Sequence, residues 1–210
     1  MALTTGLSYP GSFKRLSIIN QDKSVLKNHS IVERNLLSIG FQGSRLLSKN
    51  LFLELALAAN ISELDFSYNG FKRNEEWNTF SSFVKIVGRF PASQGFQVKA
   101  AFGIGTIFFE RTQTLFSDAV ISRDIPNWSL EISNARAVPA VTFELSVEKF
   151  FTPHFGLIFS TIYQSSLMRP FTIREKLPQF QGGPLIEVES NKLETILHFP
   201  TLSVGIVGRF

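Results

Sequence analysis

Apolar residues recur at every second position through most of this chain, a period that belongs to β-strands with two different faces and not to helices. In residues 141–147 (VTFELSV), Val141, Phe143, Leu145 and Val147 share one face, and Thr142, Glu144 and Ser146 share the other. Residues 96–108 repeat the pattern: Phe96, Val98, Ala100, Phe102, Ile104 and Phe108 stand opposite Gln97, Lys99, Ala101, Gly103 and Gly105. Residues 51–61 set Leu51, Leu53, Leu55 and Leu57 against Phe52, Glu54, Ala56, Ala58 and Asn60. Residues 202–210 set Leu202, Val204, Ile206, Gly208 and Phe210 against Ser203, Gly205, Val207 and Arg209. The second face is the informative one. It carries Ala, Gly and Ser with a few charges, where the solvent side of a soluble sandwich is richer in Lys, Glu and Thr. A narrow closed barrel, apolar outside and filled inside with small residues and paired charges, fits this composition.

The spacing of the turns supports the barrel. Short turns are read at 47–50 (LSKN), 91–95 (PASQG) and 151–154 (FTPH), and longer polar stretches lie near 20–30, 67–77, 113–137 and 169–193. Long and short connections therefore alternate, as they do in transmembrane barrels, with tight turns on the periplasmic side and longer loops outside. Strands are expected near 6–19, 31–46, 51–66, 78–90, 95–112, 138–150, 155–168 and 194–210, eight in all. The fold class is accordingly all-β: an eight-stranded antiparallel up-and-down transmembrane barrel formed by 1–210 as one domain. The first strand is the weakest, because Pro10 removes a ladder donor and Lys14-Arg15 interrupt the alternation, which leaves a start after Gly11 as the alternative.

Composition narrows the classes further. With 44% hydrophobic and 18% charged residues the chain is not a disordered one. It has no cysteine, which removes disulfide scaffolds, thiolate metal sites and thiol catalysis. No run approaches the roughly 18 apolar residues of a membrane-spanning helix, so a membrane would be crossed by strands. A secretory leader is not read either: the start, MALTTG, has neither a basic end nor an apolar core. The chain is then an internal protein, or a mature form in which an initiator Met stands where an export signal was.

The final segment, LSVGIVGRF, ends on Phe210 with Val204, Ile206 and Gly208 at alternate positions before it. It resembles the C-terminal targeting strand of bacterial outer-membrane barrels, which ends in an aromatic residue read by the barrel-insertion machinery. With the hairpin layout, the whole chain resembles small eight-stranded barrels of the outer-membrane protein A and X type. The phrases LLSKNLFLELAL and EKFFTPHFGL are similar to hairpins of barrels from the Bacteroidota, some of which serve in large envelope complexes. The resemblance implies a bacterial outer-membrane location, contact with outer-membrane lipids and lipopolysaccharide, and no cofactor. One departure is the aromatic girdle. Of the aromatics 22 are Phe against three Tyr and two Trp, leaving Tyr9, Tyr68, Trp77, Trp128 and Tyr163 for a thin interfacial belt.

Alternation points Glu54, Lys85, Arg89, Lys99, Arg111, Glu144, Glu148 and Arg209 into the barrel. An eight-stranded lumen has room only for side chains, so these charges are expected to pair across it as a plug, an unpaired buried charge being heavily penalised. A narrow ion-selective pore is the first alternative. The second is a lipid A- or phospholipid-modifying enzyme, which would need a nucleophile, a base and an orienting carboxylate. His29, His154 and His198 are the available bases, but none is part of a His-x-Ser pair and no Gly-x-Ser-x-Gly elbow occurs, so the enzyme reading is not favoured. Three scattered His without His-x-x-x-His spacing offer no metal site. Gly103-Ile104-Gly105 is not a nucleotide loop, since no third Gly and no helix follow. The net charge of +4 comes from dispersed Lys and Arg without basic-aromatic clusters, which argues against nucleic acid. The long loops at 113–137 and 171–193 are too apolar for solvated tails. Arg123, Asp124, Trp128 and Arg174 are read there as a contact surface for envelope proteins. The reading is a structural or interaction barrel of the bacterial outer membrane, with membership of a larger envelope assembly as a further expectation; an organellar barrel or a soluble ligand-holding barrel are its locational rivals.

Overall fold

The computed structural model describes residues 2–7, 29–68, 71–93, 95–110, 113–117, 129–168, 171–178, 185–192 and 198–208, with side chains placed for 37–63, 74–93, 95–110, 133–168 and 200–208. Eight strands form the wall: β1 (Ala2–Leu7), β2 (His29–Ser48), β3 (Leu51–Tyr68), β5 (Thr79–Ser93), β6 (Phe96–Phe109), β9 (Ala137–Phe150), β10 (Phe155–Ser166) and β13 (His198–Gly208). Each pairs antiparallel with the wall strand before and after it, β1 pairs with both β2 and β13, and β2 pairs with β3, so the sheet closes on itself. Closure gives every wall strand two partners and removes the sheet edge. Around the ring the wall strands follow chain order, which is the up-and-down connection.

The alternation translates directly into the two faces. Phe102, Phe143, Leu55 and Ile206 are each about half exposed on the outer surface, and Ile104 and Leu145 reach 62% and 59%. Phe102 and Phe143 sit opposite each other on β6 and β9 with ring centroids 4.9 Å apart. Inside lie Ser38, Gln42, Glu54, Asn60, Lys85, Lys99, Thr142, Glu144, Ser146 and Ser160, with Phe83, Val87, Ile107, Val138 and Ile158 among them. The molecule is inside out relative to a water-soluble domain.

The short connections fall where turn residues predict them. Lys49 and Asn50 join β2 to β3, and Gly95, at φ 81°, turns β5 into β6 in a region of backbone space that other residues rarely enter. Between β9 and β10, the Thr152 hydroxyl accepts hydrogen bonds from the His154 and Phe155 amides at 3.3 and 3.0 Å, the side-chain turn that favours Thr here. The long connections hold further strands. β4 (Phe71–Glu76) extends the β3 hairpin beyond the wall, while β7 (Gln113–Ser117), β8 (Ser129–Asn134), β11 (Phe171–Pro178) and β12 (Leu185–Lys192) form a second, four-stranded sheet in the order β12-β11-β8-β7.

Two expectations are corrected. The wall strand β1 is Ala2–Leu7, so it begins ahead of the expected 6–19 and of Gly11. Ala2–Leu7 pairs with β2 on one side and β13 on the other; residues 8–19 lie outside the described residues. The strands in 113–137 and 171–193 join in one sheet, β8 pairing β11 in register from Phe171↔Asn134 to Lys176↔Ser129. Trp77 does not belong to an interfacial belt. It continues the inward row of β5, is 1% exposed, and donates its backbone N–H to the Ser62 carbonyl at 2.8 Å. Tyr163 is on the outer face; Tyr9 and Trp128 lie outside the described residues, and the Tyr68 side chain is not described.

Gly103 supplies a test of the narrow interior. A Cβ there would lie 2.6 Å from the Val84 carbonyl oxygen and 2.7 Å from Lys85 Cγ, whereas one at Gly43 meets only Phe41, at 3.8 Å. Gly103→Val should therefore cost about 1–3 kcal/mol by overpacking, while Gly43→Ala should stay within about 0.5 kcal/mol of wild type. Urea unfolding in lipid vesicles, followed by tryptophan fluorescence, measures both.

Candidate functional site in the lumen

Glu54 lies between Leu53 and Leu55, which face outward, so the pleat of β3 turns its carboxylate inward. The same logic places Lys85 and Arg89 from β5, Lys99 from β6, and Glu144 and Glu148 from β9 on the inner face. Three cations thus meet three carboxylates. By contrast, the wall made by β10 and β13 presents Gly156, Ile158, Ser160, Gly205 and Val207 inward.

Lys99 is the centre. Its ammonium donates to Gln42 Oε1 at 2.8 Å, to Glu144 Oε1 at 2.9 Å and to Glu54, whose oxygens are 2.9 and 3.0 Å away. An ammonium has three protons, and each finds an acceptor from a different strand. Lys85 sits 2.5 Å from Glu144 Oε2 and 3.4 Å from Glu54 Oε1. Glu144 is equally saturated: Oε1 accepts from Lys99 and from the Ser146 hydroxyl at 2.7 Å, and Oε2 from Lys85 and from Gln42 Nε2 at 3.1 Å. Burial of these ions is tolerable only because pairing and hydrogen bonding together compensate for lost hydration.

A second, looser tier lies toward the short turns. Arg89 Nε is 3.5 Å from Glu148 Oε1 and Arg89 Nη2 is 4.0 Å from Glu54 Oε2, and the guanidinium carbon is 4.5 Å from the centre of the Phe52 ring. Two cavities flank the cluster. Toward the long loops, a space of about 30 Å³ is bounded by Ser38, Gln42, Asn60, Ser81, Lys85 and Thr201, enough for an ordered water. Toward the short turns, one of about 520 Å³ is bounded by Ser44, Lys49, Phe52, Arg89, Gln97 and Glu148 among others.

Of the residues expected to line the lumen, Glu54, Lys85, Arg89, Lys99, Glu144 and Glu148 come together in this way, while Arg111 and Arg209 lie outside the described residues. Gln42 and Ser146 were not singled out, although Gln42 sits in a row with Ser38 and Gly40 that alternates with Ile39 and Phe41. That row is the signal that would have found it. At the C-terminal strand, Val204 and Ile206 face outward and Gly208 stands opposite Phe155; Phe210 lies outside the described residues. In the loops Arg123, Asp124 and Trp128 lie outside the described residues, and Arg174 is placed by backbone register alone, opposite Glu131. His29 and His198 open β2 and β13 at the long-loop end, whereas His154 is exposed in a short turn at the other end.

The lumen cluster makes a double prediction. Glu144→Ala strands Lys85, Lys99 and Gln42 without their shared acceptor and should destabilise the barrel by about 3–5 kcal/mol. The pair Lys85→Met with Glu144→Met removes one charge of each sign and should cost clearly less than Glu144→Ala alone in the same unfolding assay.

No protein-family model matches the chain, and no curated protein matches it in sequence. Among solved structures, the chain is similar to the outer membrane protein OprG from Pseudomonas aeruginosa, with a TM-score of 0.55 and 9% identical residues over 99% of this chain and 93% of that one. At such low identity the likeness carries the fold: a small barrel of the outer-membrane type, with no helix among the described residues.

Proposed function

We propose that this protein is a bacterial outer-membrane barrel with a closed lumen, working as a structural or interaction component of the envelope and not as an enzyme. The carrying observation is the saturated cluster of Lys99, Lys85, Glu54, Glu144 and Gln42, which spends the inward side chains of β2, β3, β5, β6 and β9 on one another. The apolar outer surface supports the membrane address: contiguous Leu, Ile, Val and Phe side chains surround the wall, far more than a soluble monomer exposes. In this reading the short turns face the periplasm and the long loops face outward. Val204, Ile206, Gly208 and Phe210 are then the segment presented to the insertion machinery, and phospholipid and lipopolysaccharide surround the belt. The hairpin phrases favour a barrel of the Bacteroidota type.

With the lumen occupied, partner contacts fall to the long connections, where Arg174 lies on β11 and where the sequence places Arg123, Asp124 and Trp128. A lipid-modifying role would need bases converging on one site, and His154 is at the opposite end of the wall from His29 and His198. The test has two arms. In planar bilayers the wild-type protein should give no conductance steps. In cross-linked envelopes it should capture a discrete partner that is lost when Arg123, Asp124 and Arg174 are all replaced by Ala. Steady conductance, or capture indifferent to the loop changes, overturns the proposal. Separately, Phe102→Arg on the outer face should destabilise the barrel in vesicles by about 2–4 kcal/mol, the depth-dependent cost of a charge facing lipid, and urea titration reads it.

A further inference from the structure

We infer that the cavity at the short-turn end is a binding site for a small organic carboxylate with an apolar body, received by the guanidinium of Arg89. The inference rests on the barrel and its lumen, independently of what the loops contact.

The contrast between the two tiers of charge is the starting point. In the deep tier, hydrogen bonds of 2.5–3.1 Å link Lys85, Lys99, Glu54, Glu144 and Gln42, with Lys85 and Glu54 a further 3.4 Å pair. The outer tier has no contact as short as those hydrogen bonds. Arg89 Nε is buried and has no hydrogen-bond partner among the described residues, and neither oxygen of Glu148 has one. The nearest carboxylate atoms to the Arg89 guanidinium are 3.5 and 4.0 Å away. Glu148, Glu54 and the Phe52 face therefore hold the guanidinium in place electrostatically while Nε is left without a hydrogen bond. A guanidinium with an N–H in reserve suits a carboxylate, which accepts charge-assisted N–H bonds.

The cavity in front of it has the right form. Its volume of about 520 Å³ is enclosed partly by Leu46, Phe52, Pro91, Phe150 and Val207, and partly by Ser44, Asn50 and Gln97. Apolar walls with a few convergent polar groups are the usual make-up of a small-molecule site. The charge favours a monoanion. Among the lining residues Lys49 and Arg89 are cations and Glu148 is the one carboxylate, leaving one positive charge. A multiply charged phosphate would exceed that balance and would gain nothing from the apolar walls.

The experiment uses the full chain in nanodiscs, with 4-fluorobenzoate as probe and its ¹⁹F resonance as readout against empty discs. Wild type should give saturable broadening or a shift. Arg89→Gln should weaken binding by about tenfold or more, as expected for loss of a charge-assisted contact, and Lys49→Gln should weaken it less. Inorganic phosphate at matched ionic strength should displace the probe poorly. Heat-modifiable gel migration checks that Arg89→Gln is folded; if it is not, Lys49→Gln, in an exposed turn, carries the test. Wild-type spectra identical to empty discs overturn the inference, as does undiminished binding by both variants. Displacement by phosphate as effective as by benzoate also overturns it. Conductance or partner capture bears on the function proposed above and leaves this outcome untouched.

Discussion

The three protons of the Lys99 ammonium, given to Gln42, Glu54 and Glu144, tie together strands β2, β3, β6 and β9 across the interior of the barrel. Backbone ladders join each strand only to its neighbours. A buried ion that needs three acceptors joins strands that do not touch. Since an incompletely paired ion in this setting costs several kcal/mol, the cluster favours one arrangement of the wall over a slipped one. A register shift of one residue would also carry Glu54, Lys99 and Glu144 to the outer face and the Leu and Phe rows inward. Ion pairing and the apolar belt therefore specify the same register independently.

Small residues make this cluster possible. An eight-stranded lumen cannot hold many long side chains at one level, and the inner face supplies space through Ala56, Ala101, Gly103, Ser146 and, across the lumen, Gly156 and Gly205. The closeness of a Gly103 Cβ to the Lys85 stem shows how little room is left. The sparse inner face that looked unlike a soluble protein's surface is thus the spatial complement of the lysines and glutamates. Packing and electrostatics are one problem here.

Much of this architecture was legible because it is local and periodic. The faces of 51–61, 96–108 and 141–147, the turns at 47–50, 91–95 and 151–154, and the inward charges all follow from period two and turn chemistry. What could not be read was non-local. The pairing of β8 with β11 joins two hairpins separated in sequence by β9 and β10, and nothing in either segment names the other. Ala2–Leu7 was not read as the first wall strand because six residues with only Leu3 and Leu7 as large apolar side chains carry little periodic signal, and the segment gains its place from β2 and β13. Trp77 was misread for a related reason: near a strand end, residue type suggested an interface, while the phase of β5 put it inside. Gln42 is amphoteric and so joins a charge network without looking like part of one, donating to Glu144 and accepting from Lys99.

The same alternation creates a conflict that explains why the lumen has two tiers. Arg89 and Lys99 stand directly opposite on β5 and β6, an arrangement of like charges that destabilises an antiparallel pair. Their side chains resolve it by diverging. Lys99 turns to the deep carboxylates of Glu54 and Glu144, where the side chains are fully buried and complete pairing is required. Arg89 turns to the short-turn end, over Phe52 and between Glu54 and Glu148, where it is 14% exposed and open space adjoins it. Near water the demand for saturation relaxes, because solvent or a ligand can complete what the protein leaves unpaired. The saturated cluster at mid-barrel and the unsaturated mouth beside it are therefore two consequences of one neighbouring pair of cations.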